Sequence, residues 1–282
     1  MKPPKMMVLR TTLRPRTVRL VNIQSLHTVR CAGEPGTLAC RYFLYDQRGR
    51  KQSPWHHVPL DASSSFVPHP HEPDHSRLFH FVNEIPKGSR EKMEIAGTEE
   101  FNPIKQDERK GAPRLYHSAS LVNYGCLPQT WEDPNHVDGA TKHGGDNDPI
   151  DVCEIGSRVA RIGEIYPVRV LGVLAMIDGG ETDWKVIAIN VNDPLAEHVH
   201  DLKDLEKTPL HNVVSQVQRW FRDYKIPDGK PPSDFAFHGN AQPREFAENV
   251  ILQTHESWKQ LVGGEVPFNT KLWTCPKAAR CS

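Results

Sequence analysis

Residues 144–156 read Gly-Gly-Asp-Asn-Asp-Pro-Ile-Asp-Val-Cys-Glu-Ile-Gly and place three aspartates, Asp146, Asp148 and Asp151, close together around a proline. Anions at this density repel one another, so the segment is tolerated only if cations neutralise it. Carboxylate oxygens are hard ligands that select Mg²⁺, Mn²⁺ or Ca²⁺. An extended backbone points Asp146 and Asp148 to one side, and Pro149 argues against a helix interior. The segment therefore predicts a divalent-cation site on a strand or loop edge.

Short strand patterns surround this acidic segment. The sequence predicts strands at 38–45 and 55–60, joined as a hairpin, and further strands at 78–84 and 90–95. A second hairpin, 168–177 with 184–191, carries Asp178 and Asp183 near its tip. Two amphipathic helices follow, at 210–224 and from Arg244 to about Gly263. Without βαβ alternation, this order predicts an α+β fold in which helices pack outside a small antiparallel barrel.

The first 33 positions are strongly basic, since they hold seven Lys or Arg and no acid. This composition is typical of an organellar transit peptide, with a disordered basic tail as the alternative. The rest has 28 basic and 35 acidic residues, which gives no support for a nucleic-acid surface. No run approaches the roughly 20 apolar residues of a membrane span. We expect a basic head at 1–36, one catalytic domain at 37–264 and a tail at 265–282.

Two features are less informative. The six cysteines show no Cys-x-x-Cys spacing, and no Asn-x-Ser/Thr sequon occurs, which suits a reducing compartment. Residues 61–77 are rich in Ser, Pro and His and predict an inserted surface loop, with a metal-binding loop as the less favoured alternative.

Common ligand-binding motifs do not account for the acidic segment. A calcium loop starting at Asp146 fails because Ile150, Asp151 and Ser157 occupy positions that need a ligand, a glycine and a glutamate. The sequence also has no phosphate-binding Gly-rich motif, no His-Glu-x-x-His and no Gly-x-Ser-x-Gly.

Seven ordered segments give a specific resemblance. They are Asn83 to Ser89, Lys92 to Ile95, Asn123 to Gly125, Pro128 to Asp133, Gly145 to Val152, Asp178 to Lys185 and Tyr224 to Lys230. Across about residues 38–262 the chain resembles soluble family I inorganic pyrophosphatases of eukaryotic type, with some bacterial-like features such as Lys87-Gly88 after Glu84-Ile-Pro. The segment from Arg114 to Tyr124 is shorter than in eukaryotic members. The resemblance implies a closed five-stranded barrel of the oligonucleotide-binding type.

The resemblance also implies roles for individual residues. Asp146, Asp151 and Asp183 are the expected ligands of an activating metal pair, and Asp148 is expected to orient and deprotonate the attacking water. Asp178, Glu94 and Glu84 are expected near further metals. The expected substrate-binding residues are Lys92, Arg114, Tyr124, Lys185, Tyr224 and Lys225, of which Arg114, Tyr124 and Lys185 join Asp148 as expected catalytic residues.

The function implied is Mg²⁺-dependent hydrolysis of pyrophosphate to two orthophosphates by a metal-activated hydroxide. Several Mg²⁺ ions are expected per active site, with Mn²⁺ or Zn²⁺ as substitutes and Ca²⁺ as an inhibitor. The chemistry is consistent, because a polyanionic substrate with a phosphate leaving group needs both charge neutralisation and an activated water. Two alternatives stay open: a hydrolase of nucleotides or polyphosphate, and a non-catalytic scaffold that keeps the fold. We expect a mitochondrial or other organelle matrix, with the cytoplasm as the alternative, and leave a homo-oligomer open.

Overall fold

The computed structural model describes residues 27–63, 77–266 and 271–275. The described elements are the strands β1 (His27–Ala32), β2 (Arg41–Asp46), β3 (Lys51–Gln52), β4 (Leu78–Ile85), β5 (Met93–Ile95), β6 (Ile104–Gln106), β7 (Glu108–Arg109), β8 (Ala112–Pro113), β9 (Asn123–Cys126), β10 (Asp151–Glu154), β11 (Ile165–Asp178), β12 (Glu181–Asn190), β13 (Asp234–Phe235) and β14 (Gln242–Pro243), and the helices α1 (Val213–Asp223) and α2 (Arg244–Gly263). Short 3₁₀ segments lie at Leu202–Lys207, Ile226–Asp228 and Phe237–Gly239.

Five strands form a closed ring. They pair in the order β12-β10-β9-β4-β11, and β11 pairs with β12 to complete the ring. All of these pairings are antiparallel except that of β10 with β12, which is parallel. The predicted small barrel with helices outside it is therefore confirmed, with one parallel pair in place of a fully antiparallel ring.

The long hairpin of β11 and β12 forms the centre of the core because both of its faces are covered. On one face Val173, Ala175 and Val186 pack with Ala247 and Ile251 of α2. The other face, with Leu174 and Ile187, packs against Val217 and Phe221 of α1. Burial on both faces explains why these strands read as nearly continuous apolar runs instead of alternating polar and apolar residues.

A second sheet, in the order β1-β2-β6-β5 with β3 added to β2, extends the barrel. The predicted partner strand at 55–60 is wrong, because that segment forms a turn. Ser53 Oγ accepts hydrogen bonds from the backbone N–H groups of Trp55 and His56, at 3.1 and 2.9 Å. The Trp55 indole N–H donates to the Thr130 carbonyl at 2.7 Å. These contacts bury Trp55 and end the strand pairing at Gln52.

The folded region starts earlier than the predicted boundary at residue 37. Strand β1, from His27 to Ala32, pairs along its whole length with β2. The remainder of the predicted basic head, 1–26, lies outside the described residues, as do 64–76 of the predicted surface loop and most of the tail. None of the described helices is long and apolar enough to cross a membrane.

Candidate active site

A polar cavity of about 160 Å³ opens between the barrel and the segment that follows α1. Its walls contain every residue that the sequence nominated for the site: Glu84, Lys92, Glu94, Arg114, Tyr124, Asp146, Asp148, Asp151, Asp178, Asp183, Lys185, Tyr224 and Lys225. These residues come from seven separate parts of the chain. One side of the cavity is rich in carboxylates, and the other is rich in lysine, arginine and tyrosine.

The parallel pairing of β10 with β12 brings the aspartates together. Asp151 starts β10 and lies opposite Lys185 of β12, and Asp183 is two residues earlier on the same side of β12. Just before β10, Asn147 adopts a left-handed conformation (φ 74°), which turns the chain so that the Asp148 N–H donates to Asp146 Oδ1 at 3.0 Å. The tight turn and the strand pairing thus place the acids of two distant segments along one wall.

Lys185 is the internal cation of this acidic wall and is only 2% exposed. Its ammonium group donates to Asp151 Oδ2 at 2.5 Å, to Asp183 Oδ1 and to the Tyr124 hydroxyl at 3.0 Å. The Tyr124 hydroxyl in turn donates to Asp151 Oδ2 at 2.5 Å. Burial lowers the pKa of Lys185, but the two carboxylates outweigh that effect and raise its pKa well above the usual value. Lys185 therefore stays charged and holds Asp151 and Asp183 in register.

One lysine does not neutralise the whole cluster. Burial and the neighbouring carboxylates raise the pKa of Asp146 well above its usual value and that of Asp183 to about 7. The same causes raise the pKa of Asp148 to about 7. Asp148 lies at the rim with its residue exposed overall, so solvent screens its charge, whereas Asp183 is only 6% exposed and its charge is not screened in this way. The carboxylates accordingly need additional positive charge to ionise together near neutral pH.

Glu84 and Glu94 extend the acidic wall onto β4 and β5. Glu84 is buried, and its Oε1 accepts from the Ile95 N–H at 2.9 Å. Burial, reinforced by the Asp151 carboxylate, raises the pKa of Glu84 well above its usual value. Glu94 instead accepts a hydrogen bond from Lys92 at 2.8 Å. Glu94 therefore has a cation partner, whereas the hydrogen-bond partner that the described part of the chain gives Glu84 is a backbone N–H.

Lys92 and Arg114 stand together next to Glu94 because both bind the carboxylate of Asp107. Asp107 Oδ2 lies 3.1 Å from Lys92 Nζ and 2.9 Å from Arg114 NH1. Burial opposes the charged form of Asp107, but the two cations outweigh it and lower its pKa. Asp107 thus fixes two cationic side chains side by side at the cavity.

Tyr224 and Lys225 meet Asp178 at the third side of the cavity. The Tyr224 hydroxyl donates to Asp178 Oδ2 at 2.8 Å, and Lys225 also donates to this oxygen. Tyr224 ends α1, and its ring stacks on Trp220 with the centroids 5.7 Å apart. Burial opposes the charged form of Asp178, but these hydrogen bonds outweigh it and lower its pKa.

Glu132, Asp107 and Tyr116 belong to the site and were missed at the sequence level. Glu132 is 3% exposed, its Oε1 accepts from the Trp184 N–H at 3.0 Å, and its Oε2 has no hydrogen-bond partner among the residues that the structure describes. Ligand atoms of Glu132, Asp146 and Asp183 lie within 4.8 Å of one another. Tyr116 lines the cavity, and burial raises its pKa to about 12. Glu132 lies within the segment from Pro128 to Asp133, and Asp107 lies two residues after Lys105. Nothing in the sequence around these positions indicates that Glu132 faces the aspartates or that Asp107 faces the cations.

The donor set fits hard divalent cations. It consists of closely spaced carboxylate oxygens, one of which, Glu132 Oε2, is buried with no hydrogen-bond partner among the described residues. The described lining residues include no imidazole and one thiol, Cys126, and burial raises the pKa of this thiol well above its usual value, so that it stays protonated and is a poor metal ligand. Mg²⁺, Mn²⁺ and Ca²⁺ prefer such oxygen ligands, and their charge would ionise the acids whose pKa values burial has raised.

Comparisons with known proteins agree with this geometry. Residues 81–259 match the family model described as inorganic pyrophosphatase. The chain is 48% identical to the inorganic pyrophosphatase of Mus musculus over 81% of this chain and 76% of that protein. It is similar to the inorganic pyrophosphatase structure from Schistosoma japonicum, with a TM-score of 0.81 and 40% identity over 90% of this chain and 88% of the other. A truncated Trypanosoma cruzi vacuolar soluble pyrophosphatase in complex with PPi has a TM-score of 0.78 and 38% identity over 90% and 99% of the two chains.

Proposed function

The chain belongs to the inorganic pyrophosphatase family and hydrolyses pyrophosphate to two orthophosphates, and we propose that it does so in the acidic cavity with Mg²⁺ as the activating ion. The observation that carries this proposal is the joint presence of all thirteen nominated side chains around one cavity. Its carboxylate wall suits cations, and its basic walls suit phosphate oxygens.

Asp146, Asp151 and Asp183 would hold the activating ions, with Glu132 contributing its unpartnered oxygen and Asp178, Glu94 and Glu84 serving further ions. The family is metal-dependent, and an all-oxygen donor set favours Mg²⁺ among the abundant cations. When bound, such ions supply positive charge for the phosphates and lower the pKa of water toward neutrality.

Asp148 is the residue that we assign to proton transfer. Its carboxylate lies at the cavity rim, where water has access, beside the Asp146 and Asp151 carboxylates that would hold the ions. A carboxylate that is ionised next to a metal-activated water can accept a proton from it. Asp146 Oδ1 accepts the Asp148 N–H, which orients the segment that carries this base.

The cationic walls would bind the two phosphoryl groups. Arg114 offers a planar pair of donors, whereas Lys92 and Lys225 act as compact charges, and each of the three is already oriented by a carboxylate. Tyr124 and Tyr224 hydroxyls can donate to a departing phosphate once substrate displaces their carboxylate partners. Lys185 contacts Asp151 and Asp183 and would move between these acids and a phosphate oxygen.

Phosphate release tests the proposal and its two rivals. The full chain is assayed with pyrophosphate, ATP and tripolyphosphate, each with Mg²⁺ and with a chelator. We expect rapid release from pyrophosphate with Mg²⁺ only. Comparable rates on ATP or tripolyphosphate would favour the broader hydrolase, and no release from any substrate would favour the scaffold. The variant Asp148→Asn, which changes the residue assigned to proton transfer, is assayed in the same way. Its control is Glu256→Gln, which changes an exposed carboxylate on α2.

We also propose that the basic N-terminal residues direct the protein to an organelle matrix. This proposal is supported by composition alone: seven Lys or Arg and no acid within residues 1–33. A reporter fused to residues 1–36 is expected to enter the organelle, whereas a reporter fused to residues 27–36 should not. A diffuse signal from the longer fusion would reject the targeting role.

A further inference from the structure

Two thiols near the start of the described chain face each other. Cys31 lies in β1 and is exposed, whereas Cys40 precedes β2 and is 1% exposed. Their Sγ atoms are 2.7 Å apart, and both are free cysteines. Neither residue lines the acidic cavity, so the proposed hydrolysis does not explain why they meet.

The backbone holds this pair together. In the antiparallel pairing of β1 with β2, Cys31 lies opposite Tyr42 and Ala32 lies opposite Arg41. Cys40 therefore sits diagonally across from Cys31. The chain turns at Gly33 (φ 89°), where a side chain would meet the Ala39 carbonyl oxygen at 2.6 Å and the Cys40 Cα at 3.1 Å. Only glycine permits this close approach, and it brings the β1 end directly over Cys40.

The Sγ atoms of Cys31 and Cys40 need to move only a short way to form a bond. A disulfide has an S–S distance of about 2.05 Å, so the two sulfurs need to approach by only about 0.7 Å. We propose that Cys31 and Cys40 are a reversible modification site that forms an intramolecular disulfide by exchange with a glutathione-type disulfide.

The exchange balances in two steps. The Cys31 thiolate attacks one sulfur of oxidised glutathione, which forms a mixed disulfide and releases one glutathione thiolate. Cys40, after losing its proton, attacks the Cys31 sulfur and releases the second glutathione thiolate. The two protein thiols have then lost two protons and two electrons, and one oxidised glutathione has become two reduced molecules.

The difference in burial between Cys31 and Cys40 determines which thiol reacts first. Cys31 lines an open groove of about 890 Å³ together with Thr28, Val29 and Arg161, which leaves room for a tripeptide disulfide. Burial, followed by the hydrogen bond with Cys31, raises the pKa of Cys40 to about 11, which disfavours Cys40 as the first attacking thiolate. Cys31 is therefore the residue that meets the oxidant, and Cys40 resolves the mixed disulfide.

The bond would clamp a strand that is otherwise held at one edge only. β1 is the terminal strand of the order β1-β2-β6-β5, so its outer edge makes no pairing within the described residues. A covalent link from Cys31 to the residue before β2 would keep β1 closed on β2.

A mass measurement tests the proposal on the full chain. The reduced protein is equilibrated with an equimolar mixture of reduced and oxidised glutathione, quenched with acid, alkylated and digested with trypsin. Cleavage after Arg30 and Arg41 leaves both thiols in one peptide, 31–41. We expect more than about half of this peptide to be lighter by two hydrogen atoms and unalkylated, and to revert on reduction.

Variants and denaturant complete the test. Cys126→Ser, which removes a buried thiol from a separate part of the core, should leave the linked peptide unchanged, whereas Cys40→Ser should trap glutathione on Cys31. In urea the equilibrium constant for the disulfide should fall at least about tenfold, because the fold no longer holds the thiols together. Two alkylated thiols in the native protein, glutathione on Cys31 of the unsubstituted chain, or an equal constant in urea would overturn the proposal.

Discussion

Replacing Lys185 by methionine tests the electrostatics of the acidic wall. The lysine ammonium is 2% exposed and contacts Asp151, Asp183 and the Tyr124 hydroxyl. Methionine keeps a similar length but removes the charge, so the carboxylates of Asp151 and Asp183 would lose the cation that they share. Removing one partner of a buried ion pair costs about 3–5 kcal/mol, and we expect this loss in the free energy of unfolding of the metal-free protein at pH 8.

The loss should depend on pH in a definite direction. The pKa of Asp183 is about 7 in the folded protein, against about 3.9 unfolded, a difference worth about 4 kcal/mol. Because the folded state binds the extra proton, this group stabilises the fold below pH 4, and its contribution is lost as the pH rises toward 7. At pH 5 Asp183 is mostly protonated and needs the lysine less. Lys185→Met should then cost less than about 2 kcal/mol.

Urea unfolding with a chelator present, at pH 5 and at pH 8, measures both values. Lys259→Met is the matched control, since Lys259 is exposed and pairs with Glu256 on the surface of α2; it should change stability by less than about 1 kcal/mol at either pH. Saturating Mg²⁺ should restore part of the lost stability at pH 8. An equal loss at both pH values, or no loss at pH 8, would refute the role of Lys185 as the internal cation of this wall.

Three further predictions concern catalysis, metal choice and packing. Asp148→Asn should lower kcat on pyrophosphate at least about 100-fold with an unchanged circular dichroism spectrum, and a fully active variant would reject Asp148 as the base. Ca²⁺ should compete with Mg²⁺ and depress phosphate release because its larger, looser coordination misplaces the ligands; full activity in Ca²⁺ alone would contradict this. Gly125→Ala should destabilise the fold by about 3 kcal/mol or more, since the added methyl carbon would meet the Val82 carbonyl oxygen at 2.0 Å. Gly139→Ala, with open space around it, should unfold near the unsubstituted midpoint.

The parts of the site that could be predicted are those whose evidence is local. Asp146, Asp148 and Asp151 share one short segment, and Asp183 and Lys185 share one side of a strand. The resemblance then named residues on other segments, and the cavity contains all of them. Glu132 was missed because its role arises from a contact across the fold with Asp183, which no spacing along the chain encodes. Asp107 was missed because its contact with Arg114 depends on the short hairpin of β7 and β8, which the sequence analysis did not predict.

The errors in the predicted fold also arise from contacts that the local sequence does not show. Residues 55–60 have a strand-like composition, but Ser53 caps a turn there and the Trp55 indole binds the distant Thr130 carbonyl. Strand β1 was assigned to the basic head because residues 1–33 are rich in arginine and contain no acid, and this composition does not indicate the pairing of β1 with β2. The long hairpin of β11 and β12 was better predicted because apolar runs and turn residues mark its two strands and its tip clearly.

Diffraction at the manganese absorption edge, from crystals of the full chain grown with Mn²⁺, tests the shared cation site most directly. The account predicts anomalous peaks between the carboxylates of Asp146, Asp151 and Asp183, at oxygen distances suited to a hard divalent ion. Peaks located elsewhere, with these three side chains directed into separate regions, would contradict it.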